Sequence, residues 1–270
     1  MQLLDIITKT PGVDALTIIK PYQTKELAMP TETQERSIYI WSEAQEKYSA
    51  DYIDEYLRLN KISTAIVSVR KDGKNKTNAT TLLDKLSVHG IHSELLIGSN
   101  KLLSDKNPNI YFDSAFVGVP AGAVVAIHLD VEPQATDDWQ TNKDKYLLQY
   151  VELLKKTKEY CNRKGVKLSV SIPVFFPDET LKEIYALADK VYVMAYEHND
   201  ADFILKKVKE EFTLSSDKTI IALRAKDFKN RNEFESLIKE LGTNLNTNKF
   251  AMHDLETFVK LDEISVGSEK

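Results

Sequence analysis

The sequence predicts an α/β protein that folds as a single (β/α)8 barrel, also called a TIM barrel. Short apolar, β-branched runs alternate with longer segments of helical periodicity from residue 37 to the end of the chain. Eight such runs in roughly 235 residues match the strand count and size of this barrel. The chain has only 9 glycines and lacks the glycine-rich phosphate-binding turn of an open nucleotide-binding sheet. We therefore expect a barrel over residues 37–270 and an irregular N-terminal arm over residues 1–36.

The eight predicted strands are rich in valine, isoleucine and aromatic residues, which favour extended backbone. In chain order they cover residues 37–41, 64–69, 92–97, 124–132, 167–172, 190–196, 219–223 and 249–253. Helical spacing of apolar residues follows, for example over 49–57, 78–86 and 143–162, and a final helix is expected over 254–261. Residues 98–122 carry Asn, Asp, Pro and Gly without a clear helical period. The third βα unit is therefore predicted to be degenerate.

Composition excludes several classes of function. The 36 Lys and Arg residues are outnumbered by 41 Asp and Glu, which gives a net charge of −5, so nucleic acid is not an expected partner. A lone cysteine, Cys161, rules out a disulfide framework or a cysteine-rich zinc site. The sequence contains no cofactor-binding motif and no apolar stretch of about 20 residues, so neither a cofactor nor a membrane span is expected. We expect a cytoplasmic protein unless a leader was removed, in which case a secreted or cell-surface location is expected; the oligomeric state stays open.

The fourth predicted strand ends with three polar residues at alternate positions, His128, Asp130 and Glu132. Alternation places all three on one face, while Leu129 and Val131 face the other way. Because the outer face of a barrel strand packs under helices, the polar face must be the interior. Burying two carboxylates is costly unless they are paired or protonated, and catalytic groups lie at this end of barrel strands. The pattern predicts a functional site, with a buried polar network that fixes strand register as the alternative.

The two carboxyls are expected to differ in environment. Successive inward positions rise by about 6.6 to 7 Å, so Glu132 lies nearest the mouth and Asp130 one layer below. Repulsion and partial desolvation would raise the pKa of Glu132, whereas Asp130 would stay anionic. An acid beside an anion is the arrangement used for cleaving a glycosidic bond.

Three strands resemble those of the chitinase-like, family 18 glycoside hydrolases. Residues 125–132 resemble their fourth-strand signature D-x-x-D-x-D-x-E and keep its last two acidic positions; residues 167–173 are similar to their fifth strand, and 193–197 resemble the M-x-Y-D ending of their sixth. The ending at 129–133 also resembles that of bacterial barrel proteins thought to be glycosidase-like. The resemblance implies a barrel that acts on an N-acetylated poly- or oligosaccharide.

The same resemblance implies roles for individual residues. Glu132 would be the general acid, Asp130 would stabilise an N-acetyl group acting as internal nucleophile, Tyr196 would hydrogen-bond the acetamide oxygen, and Glu197 would take the place of the family aspartate. Val125 and His128 replace the first two motif aspartates. A direct mechanism with Asp130 or Glu197 as second carboxylate therefore stays open, and so does a loss of activity.

Further residues are candidates for binding substrate, each with a structural alternative. Aromatic rings at the end of the first strand would stack on sugars or pack in the core, and a tryptophan after the fourth strand would line a groove or pack at a helix start. A histidine that ends the eighth strand would face the mouth. An arginine at the end of the seventh would bind a substrate carboxylate or neutralise the two acids. With His128, the candidates are Tyr39, Trp41, Trp139, Arg224 and His253.

Two other functions remain as alternatives to hydrolysis. A non-catalytic carbohydrate-binding barrel would keep the groove after losing the chemistry, as the two missing motif aspartates allow. A metal-dependent barrel hydrolase would use His128, Asp130, Glu132 and His253 as ligands. The first three of these are spread over roughly 13 Å of one strand, too far to share one ion, so no metal site is expected.

Overall fold

Eight parallel strands form a closed barrel in the computed structural model, which describes residues 34–70 and 72–267. The strands are β1 (Glu35–Ile40), β2 (Thr64–Ser68), β3 (His92–Ile97), β4 (Ala126–Leu129), β5 (Lys167–Pro173), β6 (Lys190–Met194), β7 (Thr219–Arg224) and β8 (Lys249–His253). Each strand pairs with its sequence neighbours, and β8 closes the ring on β1 with Ser37 opposite Ala251. The prediction of a single (β/α)8 barrel is confirmed.

Helices surround the ring of strands. They are α1 (Ser42–Lys47), α2 (Ala50–Leu59), α3 (Lys76–Val88), α4 (Asn109–Phe116), α5 (Trp139–Lys164), α6 (Asp178–Leu187), α7 (Ala201–Lys207), α8 (Lys209–Ser215), α9 (Arg231–Leu245) and α10 (Leu255–Gly267). The third crossover is degenerate as predicted, since a 3-10 helix over Asn100–Ser104 and the eight-residue α4 replace one long helix. Within the described part of the chain, no helix has the length and hydropathy needed to cross a membrane.

The core has two layers that follow from strand alternation. Inside the barrel, Tyr39, Tyr192 and Ile220 belong to a small buried cluster. A much larger apolar layer lies between strands and helices and contains Ile127 and Leu129 of β4. Because these two face the helices, His128 between them faces the barrel axis and is fully buried.

The start of the barrel differs slightly from the prediction. Residues 1–33 of the predicted arm lie outside the described residues, but Glu35 and Arg36 already belong to β1. Arg36 donates from Nη1 to Oε1 of Glu235 on α9 at 2.9 Å, which anchors the first strand to the ninth helix. Cys161 is buried in α5, and burial raises the pKa of its thiol to about 12, as expected of an unreactive cysteine.

Candidate functional site

A cavity of about 800 Å³ opens at the carboxyl ends of the strands. This is the end at which barrel enzymes place their catalytic groups. Seven of the residues predicted as site residues line it together: Trp41, Asp130, Glu132, Tyr196, Glu197, Arg224 and His253. The expected meeting of the two acidic side chains in one cavity at the top of the barrel is therefore observed.

The two acids lie just beyond β4, which is shorter than predicted. Asp130 still donates its backbone N–H to the carbonyl of Ile97 at 3.0 Å, so strand pairing continues for one residue. Pro133 then begins a short 3-10 helix, which leaves Glu132 in the turn. The side chain of Asn100 accepts a hydrogen bond from the Glu132 N–H at 2.9 Å and donates one to the Glu132 carbonyl at 2.8 Å. The degenerate third crossover thus fixes the backbone of the predicted acid.

Glu132 has the electrostatic environment of a proton donor. Burial raises the pKa of its carboxyl, and the neighbouring charge of Asp130 raises it further. Gln134 opposes this in part, because its Nε2 donates to Glu132 Oε2 at 2.9 Å. The pKa of Glu132 is therefore raised, in the direction that the sequence predicts.

The sequence predicts that Asp130 stays anionic, but its surroundings in the structure disfavour the charged carboxylate. Burial raises the pKa of this carboxyl too, although Ser171 lies close enough to lower it. Its Oδ1 atom is buried and has no hydrogen-bond partner among the described residues. An unpaired buried carboxylate oxygen is costly, so Asp130 and Glu132 resist being ionised together.

The floor of the cavity is a polar network inside the barrel. His128 contacts Ser169 Oγ at 3.0 Å and Glu94 Oε2 at 3.3 Å through Nδ1, and Ser171 Oγ at 2.8 Å through Nε2. The hydroxyl of Tyr39 also contacts Ser171 Oγ, at 2.8 Å. His128 and Tyr39 are fully buried and do not line the cavity, so they lie beneath any ligand rather than against it.

Glu94 is a member of this network that the sequence analysis missed. Burial would raise its pKa, but the hydrogen bond with His128 and the charge of Lys190 outweigh burial and hold the pKa at about 2. Lys190 Nζ lies 3.3 Å from Oε1, and the Tyr192 hydroxyl donates to the same oxygen at 3.1 Å. Glu94 is an acidic residue within an apolar strand at a position that alternates inward with Leu96. The same signal singled out His128.

Trp41, Tyr196 and His253 form an aromatic part of the cavity lining. Trp41 donates its Nε1–H to Nε2 of His253 at 3.2 Å, and the rings of Tyr196 and His253 have centroids 5.1 Å apart. Burial lowers the pKa of His253, against the opposing charges of Asp254 and Asp130, which favours the neutral ring that accepts from Trp41. Burial raises the pKa of Tyr196 well above its usual value, so its hydroxyl keeps its proton as a donor.

Arg224 and Glu197 lie at the rim of the cavity and do not pair with Asp130 or Glu132. Arg224 donates from Nη2 to Asp227 Oδ1 at 2.7 Å, and its Nη1 lies 3.7 Å from Glu197 Oε1. Of the two roles considered for Arg224, neutralising Asp130 and Glu132 is not supported by its contacts, because Asp227, three residues along the chain, pairs with it instead. Arg224 still lines the cavity, so binding a substrate carboxylate stays a prediction. Glu197 has a φ of 68° and a side chain that is 74% exposed, so it faces solvent.

The position of Trp139 is decided by its packing. Trp139 is the first residue of α5, where it is buried in the apolar layer outside the barrel and does not line the cavity. In residues 34–70 and 72–267, no group of three or more His, Cys, Asp or Glu side chains is arranged to hold a metal ion.

Comparison with known proteins reveals the same barrel elsewhere. No protein-family model and no curated protein sequence matches the chain. Among solved structures, a GH18 chitinase from Cycas revoluta in complex with (GlcNAc)3 has 11% identity and a TM-score of 0.58, over 87% of this chain and 100% of that one. The fold is that of a chitinase-like barrel.

Two other chitinase-like structures agree with this result. The spore cortex-lytic enzyme SleL of Bacillus megaterium has 12% identity and a TM-score of 0.55, over 87% of this chain and 74% of that one. Catalytic domain 2 of the Ostrinia furnacalis Group II chitinase has 14% identity and a TM-score of 0.52, over 72% and 64%. At the level of the fold, the resemblance to a divergent chitinase-like barrel is confirmed.

Proposed function

We propose that this chitinase-like barrel hydrolyses O-glycosidic bonds in an N-acetylated poly- or oligosaccharide. Glu132 acts as general acid, and Asp130 is its stabilising partner. The observation that carries the proposal is the placement of these two carboxyls in one cavity at the carboxyl end of the barrel, where burial raises the pKa of Glu132 and Asp130 raises it further. A carboxyl whose pKa is raised keeps its proton to a higher pH than an ordinary glutamate and can transfer it to a departing sugar oxygen.

The remaining lining supports a sugar as the ligand. Trp41 offers an aromatic face for the apolar side of a pyranose, and the protonated hydroxyl of Tyr196 is a donor for an acetamide oxygen. The barrel of similar fold from Cycas revoluta holds (GlcNAc)3, which favours an N-acetylated substrate here. In this proposal Asp130 stabilises the acetamide as it attacks the anomeric carbon.

The proposal is tested by replacing Glu132 with glutamine. Wild-type protein should release reducing ends from oligosaccharides of N-acetylglucosamine or from spore-cortex glycan. Glu132→Gln should lower kcat by roughly 10²- to 10⁴-fold because the proton donor is lost. Glu179→Gln is the matched control, since the Glu179 side chain is 91% exposed on α6, and it should leave kcat unchanged.

Binding separates a hydrolase from a carbohydrate-binding barrel. Calorimetry with the same oligosaccharides should show that Glu132→Gln binds with wild-type affinity. A wild-type protein that binds them and releases no reducing ends from either substrate would establish the non-catalytic alternative. Equal rates for wild type and Glu132→Gln would contradict the role given to Glu132.

A further inference from the structure

His253, the last residue of β8, has a ring that is held in one orientation in the cavity lining. The ring centroids of Tyr39, Trp41 and Tyr196 lie 5.3 Å, 6.0 Å and 5.1 Å from that of His253. Contacts with three aromatic rings leave the imidazole little room to turn, because closely packed side chains keep one rotamer. The two ring nitrogens of His253 therefore have different and fixed surroundings.

The ring nitrogen that faces Trp41 must accept a hydrogen bond. Trp41 Nε1 lies 3.2 Å from His253 Nε2, and an indole N–H group can only donate. Nε2 therefore carries no proton, and a neutral imidazole then has its single proton on the other nitrogen, Nδ1. The hydrogen bond from Trp41 thus selects one of the two tautomers of His253.

The neutral form of His253 is favoured by its position. Burial lowers the pKa of the ring, and the positive charges of Arg224 and Lys226 at the end of β7 lower it further. The carboxylates of Asp254 and Asp130 act in the opposite direction without outweighing these effects. The argument from a neutral ring therefore applies near and above neutral pH.

The Nδ1–H group of His253 has no acceptor on the protein. Asp254 Oδ2 lies 3.9 Å from Nδ1, which is beyond hydrogen-bond distance. No other group in residues 34–70 and 72–267 accepts a hydrogen bond from this nitrogen. The His253 side chain is partly exposed and lines the cavity, so its donor is available to a bound molecule.

We propose that Trp41 fixes the tautomer of His253 so that the Nδ1–H group donates a hydrogen bond to an oxygen of the bound sugar. His253 is then a substrate-binding residue, and Trp41 is its positioning residue. An uncharged N–H donor suits the acceptors that a neutral glycan offers, which are hydroxyl and acetamide carbonyl oxygens. This deepens the proposed function and rests on it for the identity of the ligand.

Nitrogen NMR of the sugar-free protein above neutral pH tests the tautomer. The His253 ring, assigned by the loss of its signals in His253→Gln, should carry its proton on Nδ1. Trp41→Phe keeps an aromatic ring but removes the indole N–H, so Nε2 becomes free to carry the proton and the Nε2–H form should appear. Trp139→Phe is the matched control, because Trp139 lies in the apolar layer outside the barrel, and it should leave the His253 signals unchanged.

Calorimetry with the trisaccharide of N-acetylglucosamine tests the donor. His253→Phe keeps an aromatic ring but can neither accept from Trp41 nor donate to the sugar. It should bind the trisaccharide roughly 3- to 10-fold more weakly than the wild type, the loss expected for one hydrogen bond. His253→Gln has both an acceptor and a donor, so it should recover part of the affinity.

Three results would overturn the proposal. They are a proton on Nε2 in the neutral wild-type ring, a Trp41→Phe ring that still carries its proton on Nδ1 alone, and wild-type affinity of His253→Phe for the trisaccharide. A wild type that binds no trisaccharide would contradict the proposed substrate, and with it the donor role of His253. The tautomers, which are measured without sugar, would still decide the role of Trp41.

Discussion

Replacing Glu94 with glutamine removes a negative charge from the centre of the barrel while keeping the shape of the side chain. Glu94 is fully buried, and its pKa falls from 4.5 to about 2 on folding because His128 and Lys190 outweigh the effect of burial. A carboxyl whose pKa is lowered on folding stabilises the protein above its unfolded pKa. That stability is lost as the pH falls through the folded value.

The size of the effect follows from the difference between these two values. A shift of one pKa unit corresponds to about 1.4 kcal/mol, so the Glu94 carboxylate contributes about 3 kcal/mol to the free energy of unfolding at pH 7. By the same relation the contribution falls to about 2 kcal/mol at pH 3.5 and below about 1 kcal/mol at pH 2.5. Protonated Glu94 then resembles glutamine, so the wild type and Glu94→Gln should approach each other in stability as the pH falls.

Urea unfolding at pH 7, pH 3.5 and pH 2.5 measures this convergence. Glu35→Gln is the matched control, because Glu35 also pairs with Lys190, at 3.2 Å, but is partly exposed. It should cost less than about 1 kcal/mol at pH 7, as exposed ion pairs do. A stability difference between wild type and Glu94→Gln that stays constant across the three pH values would refute the reasoning.

Two further predictions concern a buried acid and the support of the site. Glu211 is buried, its Oε2 has no hydrogen-bond partner within the described residues, and burial raises its pKa to about 7. Its protonated form therefore stabilises the fold at low pH. The free energy of unfolding of the wild type, measured with urea, should fall by about 3 kcal/mol between pH 4.5 and pH 8, and that of Glu211→Gln should not. The same pH dependence in both proteins would contradict this. Asn100→Ala removes both hydrogen bonds to the Glu132 backbone, so it should cost about 1 to 3 kcal/mol and lower kcat more than it changes KM. Unchanged unfolding and kinetics would show that Asn100 does not hold the acid.

Local sequence patterns identified the side chains whose orientation is set by the geometry of a single strand. His128, Asp130 and Glu132 alternate along a single segment, so strand geometry alone was enough to place them on the inner face. The number of strands and the weakness of the third crossover are likewise local signals. The apolar side of each strand packs against the helices, so the polar side chains on its other side face the barrel interior.

Contacts between distant strands were beyond such patterns. Glu94 is an anion because of partners on β4, β5 and β6, and nothing in the sequence of β3 reveals them. The pairing of Arg224 with Asp227 was not predicted, because it depends on a short 3-10 turn that brings Asp227 back against the guanidinium. The raised pKa of Asp130 depends on how far the surrounding packing buries its carboxyl, which the spacing of residues does not encode.

The support that Asn100 gives to Glu132 links two parts of the chain that a barrel would otherwise let vary separately. Asn100 occupies its position because the chain after β3 turns into a 3-10 helix instead of entering a regular helix at once. Replacing residues 98–108 with a regular helical crossover would preserve the ring of strands but remove the two hydrogen bonds between Asn100 and the Glu132 backbone. In this barrel the irregular third crossover supplies the hydrogen bonds that hold the Glu132 backbone, so a redesign that made this crossover regular would remove them.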